Sequence, residues 1–325
     1  MTAARAMMLG VLFAVAVVGW VVTCANWQVE EVARGVRALD ERSFDALTVI
    51  AVGTGGPYEN QDRLGPAIGV GFGKDLVLVD AGRAVAEALR KANLPAAQPK
   101  LVALTGLAPE DTVGLDDLLL AGWLNGPRAT PLRLVGPPGT IALARGLEQA
   151  HAVGIAAEAR ALGLPPEGAR FDPVEVSGPY REERDGLVVT AAPLGDGAAL
   201  IFRFEAKGRS AVVSGTSGDE EAQVAFAQDA DAWVREAIHG ESIRAAIAAA
   251  AQGDPSAAKR LEQEAALHAD LDQAATAATR AGVRTLVLTR LRPPPVLAWQ
   301  YEHAIGKRFP GNVVVAKDGD EIGLR

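Results

Sequence analysis

The stretch 101–120, LVALTGLAPEDTVGLDDLLL, constrains the fold of this chain more than any other. Its first four residues form a continuous apolar run, which is typical of a buried strand. The run ends at Thr105, and Gly114 and Leu115 lead into a segment with helical spacing at 116–123. The sequence therefore predicts a strand, a polar turn that carries Glu110 and Asp111, and a helix, in this order.

This strand, turn and helix resemble the metal-binding segment of the metallo-β-lactamase fold superfamily, in its ribonuclease Z and arylsulfatase-like branch. In that branch the segment reads Leu-Thr-His-x-His-x-Asp-His-x-x-Gly-Leu. The flanking residues of the motif are present here as Leu104-Thr105 and Gly114-Leu115. The four ligand positions of the motif hold other residues, namely Gly106, Ala108, Glu110 and Asp111.

Further motifs of the same branch follow in the same order along the chain. They include Gly-Thr-Gly-Gly-Pro at 53–57, an Asp-x-Gly turn at Asp80 and Gly82, and Gly-Pro-x-Gly-Thr at 136–140. The resemblance extends from residue 47 to the C-terminus. It implies an α/β (α+β) fold, a four-layer αββα sandwich of the metallo-β-lactamase type. Fold does not by itself imply activity.

The remaining site positions that the resemblance implies are also changed. The histidine of an Asp-His pair is replaced by Asp196, the metal-bridging aspartate by Thr216, and the last histidine ligand by Arg290. Arg235 stands where the branch has a histidine before Glu-Ala. A pocket histidine of the branch is matched by His268, and Asp80 belongs to the turn beside the pocket.

These changes leave three interpretations of the site open. A hydrolytic dinuclear site needs imidazoles and carboxylates that converge on two cations, which activate a bound water. The first interpretation is a non-catalytic pseudoenzyme, a binding or regulatory subunit that lacks the zinc ligands and has no cofactor. Under it, we hypothesise that the Arg290 guanidinium occupies the former metal pocket and pairs with Asp111, Asp196 or Asp80, because buried acids without a cation are costly. The alternative is that Arg290 is a surface residue at a strand end.

The second interpretation is a metal-dependent hydrolase, of phosphodiesterase or arylsulfatase type, with an altered site. Carboxylates suit Mg²⁺ or Ca²⁺, and the acidic residues available for such a site are Asp80, Glu110, Asp111 and Asp196. The third is a metal-free hydrolase. It would use His268 as general base and Ser217 or Thr216 as nucleophile, with Asp196 nearby, but no Gly-x-Ser-x-Gly elbow supports it.

The N-terminal segment 6–25 contains twenty residues without a charge. A helix of that length spans about 30 Å, the thickness of the bilayer hydrocarbon. We predict an uncleaved signal anchor at 1–26, because the apolar run exceeds the roughly 7–15 residues of a signal-peptide core. A juxtamembrane linker or helix is predicted at 27–46, and a metallo-β-lactamase-like domain at 47–325 with a helical insertion at 239–267. The predicted location is the inner or plasma membrane, single-pass, with the domain outside the cytoplasm.

Charge and cysteine content restrict the partners. The net charge of −8 argues against nucleic acid, because phosphate binding needs a basic face. The single cysteine, Cys24, excludes both an intrachain disulfide and a thiolate zinc cluster. Members of the branch often dimerise, so the resemblance implies a homodimer or a heterodimer with an active relative.

Overall fold

The computed structural model describes residues 3–36, 38–56, 62–216, 219–295, 298–306 and 308–325. The chain divides into two compact units, Met1–Ala38 and Leu39–Arg325. We call the second unit the body.

The first unit consists of one helix, α1 (Ala3–Val36). The stretch Gly10–Glu30 has a mean hydropathy of 1.8 and is long enough to cross a membrane, and none of it is buried. A signal sequence and a signal anchor both fit these properties. The helix also continues beyond residue 26, into the segment predicted as a linker or helix.

The body contains two seven-stranded mixed sheets in its described residues. In spatial order, the first sheet consists of β14 (Glu321–Leu324), β1 (Phe44–Gly53), β2 (Ala67–Gly73), β3 (Asp75–Val79), β4 (Leu101–Ala103), β5 (Leu132–Gly136) and β6 (Phe171–Glu175). The second sheet consists of β13 (Asn312–Val315), β12 (Thr285–Arg292), β11 (Ala232–Ile238), β10 (Arg209–Ser214), β9 (Ala199–Ala206), β8 (Leu187–Leu194) and β7 (Tyr180–Arg184).

Helices flank the two sheets. Between β3 and β6 the chain forms α2 (Val85–Lys91), α3 (Pro109–Thr112), α4 (Leu115–Leu124) and α5 (Thr140–Leu162). The second sheet is accompanied by α6 (Glu220–Phe226), α9 (Leu271–Arg280) and α10 (Ala298–Gly306), and a helical hairpin is formed by α7 (Gly240–Gly253) and α8 (Pro255–Ala265). One apolar core lies between the sheets, and two others lie under the helices on the outer faces. The αββα sandwich implied by the resemblance is confirmed.

Several elements differ from the sequence prediction. The sequence after Thr140 predicts a helix that ends near His151, but α5 continues to Leu162, because no proline interrupts it and Gly163 ends it in the left-handed conformation. The alternation of apolar and polar residues at 201–204 predicts an edge strand, yet β9 lies inside the second sheet between β10 and β8. Its Arg203 is tolerated there because the guanidinium reaches the Gln228 carbonyl oxygen at 3.0 Å. Strands β7 and β14 were not predicted.

The carboxyl ends of the parallel strands meet at one end of the body, which we call the cleft end. Strands β3, β4 and β5 are parallel in the first sheet, and β10, β11 and β12 are parallel in the second. The Leu200 amide donates to the Thr105 carbonyl oxygen at 2.8 Å, which joins the two sheets at this end. Residues that follow these strands are therefore brought together, as ligand-binding residues are in many α/β proteins.

Gly114 allows the backbone after α3 to pack closely against the turn after β3. A Cβ added at Gly114 would lie 2.1 Å from the Gly82 carbonyl oxygen, which is backbone and cannot move aside. We expect Gly114→Ala to lower the free energy of unfolding by about 3 kcal/mol, measured by urea denaturation. Gly146→Ala on α5 is the control, because nothing lies within 4 Å of its added Cβ. Equal stability of the two variants would contradict the prediction.

Candidate functional site

A cleft of about 620 Å³ opens at the cleft end of the body. Its walls come from the turn after β4, the β8–β9 turn and the segment after β10. The residues that line it are Gly106, Leu107, Ala108, Asp111, Leu194, Gly195, Asp196, Ala198, Ala199, Thr216 and Asp219. Five of the positions that the sequence singled out therefore surround one cavity, namely Gly106, Ala108, Asp111, Asp196 and Thr216.

Asp80 lies at the base of this region, in the turn directly after β3. It is fully buried, and its backbone has φ 61°, in the left-handed region. Both oxygens of its carboxylate accept hydrogen bonds from Thr105, one from the amide and one from the hydroxyl, each at 2.8 Å. Thr105, which lies two residues after β4, therefore fixes the orientation of the Asp80 carboxylate.

Asp111 is held beside Asp80 by the short helix α3. The Ala81 amide donates to the Asp111 carbonyl oxygen at 2.7 Å, and the Gly114 amide donates to the Ala81 carbonyl oxygen at 2.9 Å. These two bonds fasten α3 onto the turn that carries Asp80. The Asp111 side chain is buried, so two carboxylates enter the same water-poor space.

Arg290, near the end of β12, bridges these two carboxylates. Its Nη1 donates to Asp111 Oδ1 at 2.6 Å, and its Nη2 donates to Asp80 Oδ2. The residue is only 3% exposed, so the pair is shielded from water. The backbone of Arg290 has φ 51°, and its amide donates to the Thr54 carbonyl oxygen at 3.0 Å. The left-handed turn directs the guanidinium into the space between the two sheets.

Asp80 and Arg290 both have shifted pKa values. Burial and the neighbouring Asp111 carboxylate raise the pKa of Asp80 to about 7, against the opposing effects of Arg290 and Thr105. Burial alone would lower the pKa of Arg290, but the surrounding carboxylates, with Asp111 and Asp80 first, raise it. One guanidinium is thus shared by two acids, and it stays protonated at any pH at which the protein is folded.

A second guanidinium, Arg292, lies two residues further along β12. Its Nη2 donates to both Glu110 oxygens, at 3.0 and 2.8 Å. Its Nη1 lies 3.3 Å from Glu236 Oε2 and 2.7 Å from His268 Nε2. Neither Arg292 nor Glu236 was singled out from the sequence. Strand parity gives no signal here, because Arg290 has a left-handed backbone and the register of β11 and β12 shifts between the pairs Glu236–Thr289 and Ile238–Arg292.

His268 and Thr216 both bind Glu236. His268 Nδ1 lies 2.6 Å from Glu236 Oε1, and the Thr216 hydroxyl donates to Glu236 Oε2 at 2.8 Å. Arg292 Nη1 lies close to both ring nitrogens, 2.9 Å from Nδ1 and 2.7 Å from Nε2, so Glu236 and Arg292 together enclose the imidazole. Burial alone would raise the pKa of Glu236, but the hydrogen bond from His268 and the two arginines lower it.

Not all of the predicted site residues enter this network. Asp196 lines the cleft, but its carboxylate accepts from the Ala198 amide at 3.1 Å within the β8–β9 turn. Arg235 lies elsewhere, with its Nη2 3.0 Å from Glu220 Oε2 and its guanidinium over the Trp233 ring. Gly106 and Ala108 face the cleft without a side-chain donor. Ser217 lies outside the described residues.

The described residues offer a metal ion few donors at this end of the body. Among them, no group of three or more histidine, cysteine, aspartate or glutamate side chains has a geometry that could hold a metal. Four carboxylates approach the region, Asp80, Glu110, Asp111 and Glu236, and each is bound by a guanidinium.

Comparison with known proteins gives the chain its family. The ribonuclease Z of Mycobacterium bovis (strain BCG / Pasteur 1173P2) is 30% identical over 286 residues, a match that covers 84% of this chain and 96% of the relative. The chain belongs to the ribonuclease Z-related family of metallo-β-lactamase-fold proteins. The ribonuclease Z of Mycobacterium tuberculosis (strain ATCC 25618 / H37Rv) is 29% identical over the same share of both chains. No protein-family model matches the chain.

Solved structures agree with this assignment at the level of the fold. The short form of human tRNase Z aligns with a TM-score of 0.63 and 19% identity, over 86% of this chain and all of that one. The metallo-β-lactamase fold protein YhfI from Bacillus subtilis aligns with a TM-score of 0.62 and 17% identity, over 86% of this chain and 100% of that one. The ribonuclease Z-related fold is therefore shared at low identity, and the site must be judged from its own residues.

Proposed function

We propose that this protein is a membrane-anchored, non-catalytic member of the ribonuclease Z-related family, a pseudoenzyme that binds or regulates. The observation that carries the proposal is the position of the Arg290 guanidinium. It is buried between Asp80 and Asp111, at the end of the body where the resemblance puts the metal site. A cation that belongs to the chain thus stands where two metal ions are implied.

The donor set supports this proposal. Two zinc ions need several imidazoles and carboxylates with free lone pairs. Gly106 and Ala108 have no side-chain donor, and Thr216 uses its hydroxyl to bind Glu236. Asp80 and Asp111 already accept hydrogen bonds from Arg290, and the guanidinium would repel an incoming cation. The residues present therefore do not fit the two zinc ions that the family implies.

The same pairing disfavours a carboxylate-rich Mg²⁺ or Ca²⁺ site. Such a site needs several oxygen ligands that are not engaged by cations. Glu110 is bound by Arg292, and Asp80 and Asp111 are bound by Arg290; the other acids that line the cleft are Asp196 and Asp219. An altered metal-dependent hydrolase remains the alternative function, and it would require both arginines to move away.

A metal-free hydrolase is not supported by the geometry of His268. A general base must present a free lone pair to the proton that it removes. The Nε2 atom of His268 is 2.7 Å from Arg292 Nη1, and its Nδ1 is bound to Glu236. The Thr216 hydroxyl donates to Glu236 rather than to this histidine.

Metal content and activity test the proposal directly. We expect full-length protein, purified without chelator and dialysed against zinc, to hold well below one zinc per chain and to leave a phosphodiester substrate intact, in contrast to the roughly two ions of a two-metal site. The ribonuclease Z of Mycobacterium tuberculosis, treated in parallel, is the positive control. Two tightly bound zinc ions with hydrolysis would refute the proposal, and stoichiometric magnesium or calcium would favour the alternative.

The binding role includes two partner hypotheses. The cleft of about 620 Å³ remains open beside the arginine pair and offers space for a small molecule. A homodimer, or a heterodimer with an active relative, is the other hypothesis, and in the heterodimer this chain would shape the pocket of its partner. Affinity purification from membranes of the source organism distinguishes them, because recovery of an active relative in equal amount supports the heterodimer.

The anchor is the remaining element of the proposal. The stretch Gly10–Glu30 is apolar and exposed, and Trp20 and Trp27 suit one interface of a bilayer. We expect the protein to stay in the membrane fraction after alkaline carbonate extraction and to retain its first 26 residues by mass spectrometry. A mature protein that starts at Asn26 and is released into the soluble fraction would instead identify the segment as a cleaved signal sequence.

A further inference from the structure

The wall of the cleft is acidic. Its lining includes the carboxylates of Asp111, Asp196 and Asp219, and no lysine, arginine or histidine is among the described residues that line it. The remaining lining residues are small or apolar, and Leu107 and Leu194 are the largest of them. A molecule in this cavity of about 620 Å³ therefore meets carboxylates and hydrocarbon side chains.

Asp111 presents one carboxylate oxygen to the cleft. The residue is only 5% exposed, and its Oδ1 accepts a hydrogen bond from Arg290 Nη1. Its Oδ2 accepts none from the described residues. A Cβ added to Gly106, which also lines the cleft, would lie 3.4 Å from this oxygen and within 4 Å of nothing else beyond its chain neighbours. Because a buried carboxylate oxygen without a donor is costly, this atom favours a hydrogen-bond donor supplied from the cleft.

The guanidinium groups around the cleft do not offset its acidic wall. Three of them belong to the strands at this end of the body, and carboxylates already bind each one: Asp80 and Asp111 bind Arg290, Glu110 and Glu236 bind Arg292, and Glu220 binds Arg235. Asp196 accepts a hydrogen bond from the Ala198 amide, and no cation binds it among the described residues. The charge that a ligand meets in the cleft is therefore negative, like the net charge of −8 of the whole chain.

This arrangement suits an organic cation better than a metal ion. A metal ion needs several convergent ligands, and the described residues contain no group of three that could hold one. It would also have to enter between Asp80 and Asp111, where Arg290 repels it. An ammonium group needs fewer acceptors, because it can bind one carboxylate oxygen and give its other protons to water. At Oδ2 it stays on the cleft side of Asp111, with the carboxylate between it and the guanidinium.

We propose that the cleft binds a small organic amine, whose ammonium group donates to Asp111 Oδ2 and whose hydrocarbon part lies along Leu107 and Leu194. The inference rests on the binding role in the proposed function and adds the chemical class of the ligand. Asp196 contributes a second negative charge at the exposed side of the same cavity. An anion of equal size is repelled by these carboxylates, so the cleft selects its ligand by charge as well as by shape.

Three probes of matched shape test the charge of the ligand. They are phenethylamine, phenethyl alcohol and phenylacetate, which are a cation, a neutral molecule and an anion at neutral pH. Each is titrated into the full chain in nanodiscs by ligand-observed nuclear magnetic resonance, and the signal of empty discs is subtracted. We expect the amine to bind at least about tenfold more tightly than the alcohol, because its hydrogen bond to the carboxylate is charge-assisted. Phenylacetate should show no binding.

Two variants assign the binding to the cleft. Gly106→Ala covers Asp111 Oδ2 with a methyl group and leaves every charge in place. We expect it to reduce the preference for the amine over the alcohol from about tenfold to about twofold. Asp196→Asn should lower the affinity for the amine by about threefold, since its charge is exposed and screened. Glu158→Gln, on the exposed part of α5, removes an equal charge outside the cleft and should leave the binding of all three probes unchanged.

The outcomes separate this inference from the proposed function. Equal affinity of the unaltered chain for the amine and the alcohol overturns the inference, and so does a full preference for the amine in Gly106→Ala, because the amine would then bind elsewhere. The same preparation is analysed for zinc and for phosphodiester hydrolysis. Two zinc ions with hydrolysis refute the proposed function, whereas zinc-free, inactive protein without a preference for the amine overturns only the class of ligand.

Discussion

Replacing Arg290 with methionine is expected to lower the free energy of unfolding by about 3–5 kcal/mol, because the change leaves two buried carboxylates without their cation. Asp80 and Asp111 are both buried, and the guanidinium is the cation that binds both of them in the structure. The measurement is urea denaturation followed by far-ultraviolet circular dichroism. Arg260→Met on α8, where the side chain is 68% exposed, is the matched control and should change stability by less than about 0.5 kcal/mol.

A combined variant separates the charge from the packing. Arg290→Met with Asp80→Asn and Asp111→Asn removes the cation and both anions together, so no uncompensated charge remains. We expect it to recover at least half of the stability that Arg290→Met loses, since replacing a whole buried ion cluster is often close to neutral. If the triple variant is as unstable as the single one, the loss comes from packing or backbone and the ionic account is wrong.

The stability of the single variant Arg290→Met is also expected to depend on pH. Without Arg290, the pKa of Asp80, already raised by burial and by Asp111, rises further in the folded protein. A carboxyl whose pKa is higher in the folded than in the unfolded chain binds more protons when folded, so stability falls as pH rises through that range. We therefore expect the loss of stability caused by Arg290→Met, measured by thermal melts against the unaltered chain, to grow between pH 5 and pH 8. A loss of stability that becomes smaller as the pH rises would contradict this prediction.

The second large effect is expected from restoring the family's ligands. The variant carries the changes Gly106→His, Ala108→His, Glu110→Asp, Asp111→His, Asp196→His, Thr216→Asp and Arg290→His. We expect its zinc affinity to exceed that of the unaltered chain by at least about a hundredfold, because the backbone still has the αββα arrangement and converging imidazoles bind zinc strongly. Isothermal titration with zinc on folded protein measures the difference.

The control for this experiment keeps Arg290 and introduces the other six changes. Its guanidinium would remain among the new ligands, so we expect most of the gain in zinc affinity to be lost. Equal affinity of the two variants would show that Arg290 does not exclude metal. No gain in either would show that the turn geometry, rather than the side chains, has departed from that of the relatives.

The fold was predictable because the strands near the site carry strong local signals. The segments 75–79 and 199–205 are short apolar or alternating runs bounded by turns, a pattern that predicts strands, and they agree within one residue with β3 and β9. Strand β7 was missed because its sequence, Tyr-Arg-Glu-Glu-Arg, is polar throughout, which an edge strand tolerates and a periodicity argument does not detect. Strand β7 therefore contributes mainly charged side chains to the edge of the second sheet.

The site was only partly predictable. The motif frame located Arg290, and the structure pairs it with two of the three acids considered, Asp80 and Asp111. Arg292 was missed because its partners are far away in the sequence, and Glu110 is 182 residues distant. Which acid an arginine meets depends on how two sheets face each other, and that information is tertiary. The position of Arg235, against Glu220 and Trp233, was unpredictable for the same reason.

The ion cluster around Arg290 also constrains how this lineage can change. Any single substitution of Arg290 leaves two buried acids, Asp80 and Asp111, without a cation. A histidine introduced alone at position 106 or 108 lies near the positive charge of Arg290, which repels a metal ion. Under the proposed function, acquiring a two-metal site would therefore need several replacements at once, each unfavourable alone. Under the same proposal, sequence change in homologues of this chain is expected to accumulate at the exposed residues of the cleft rather than in the buried ion cluster.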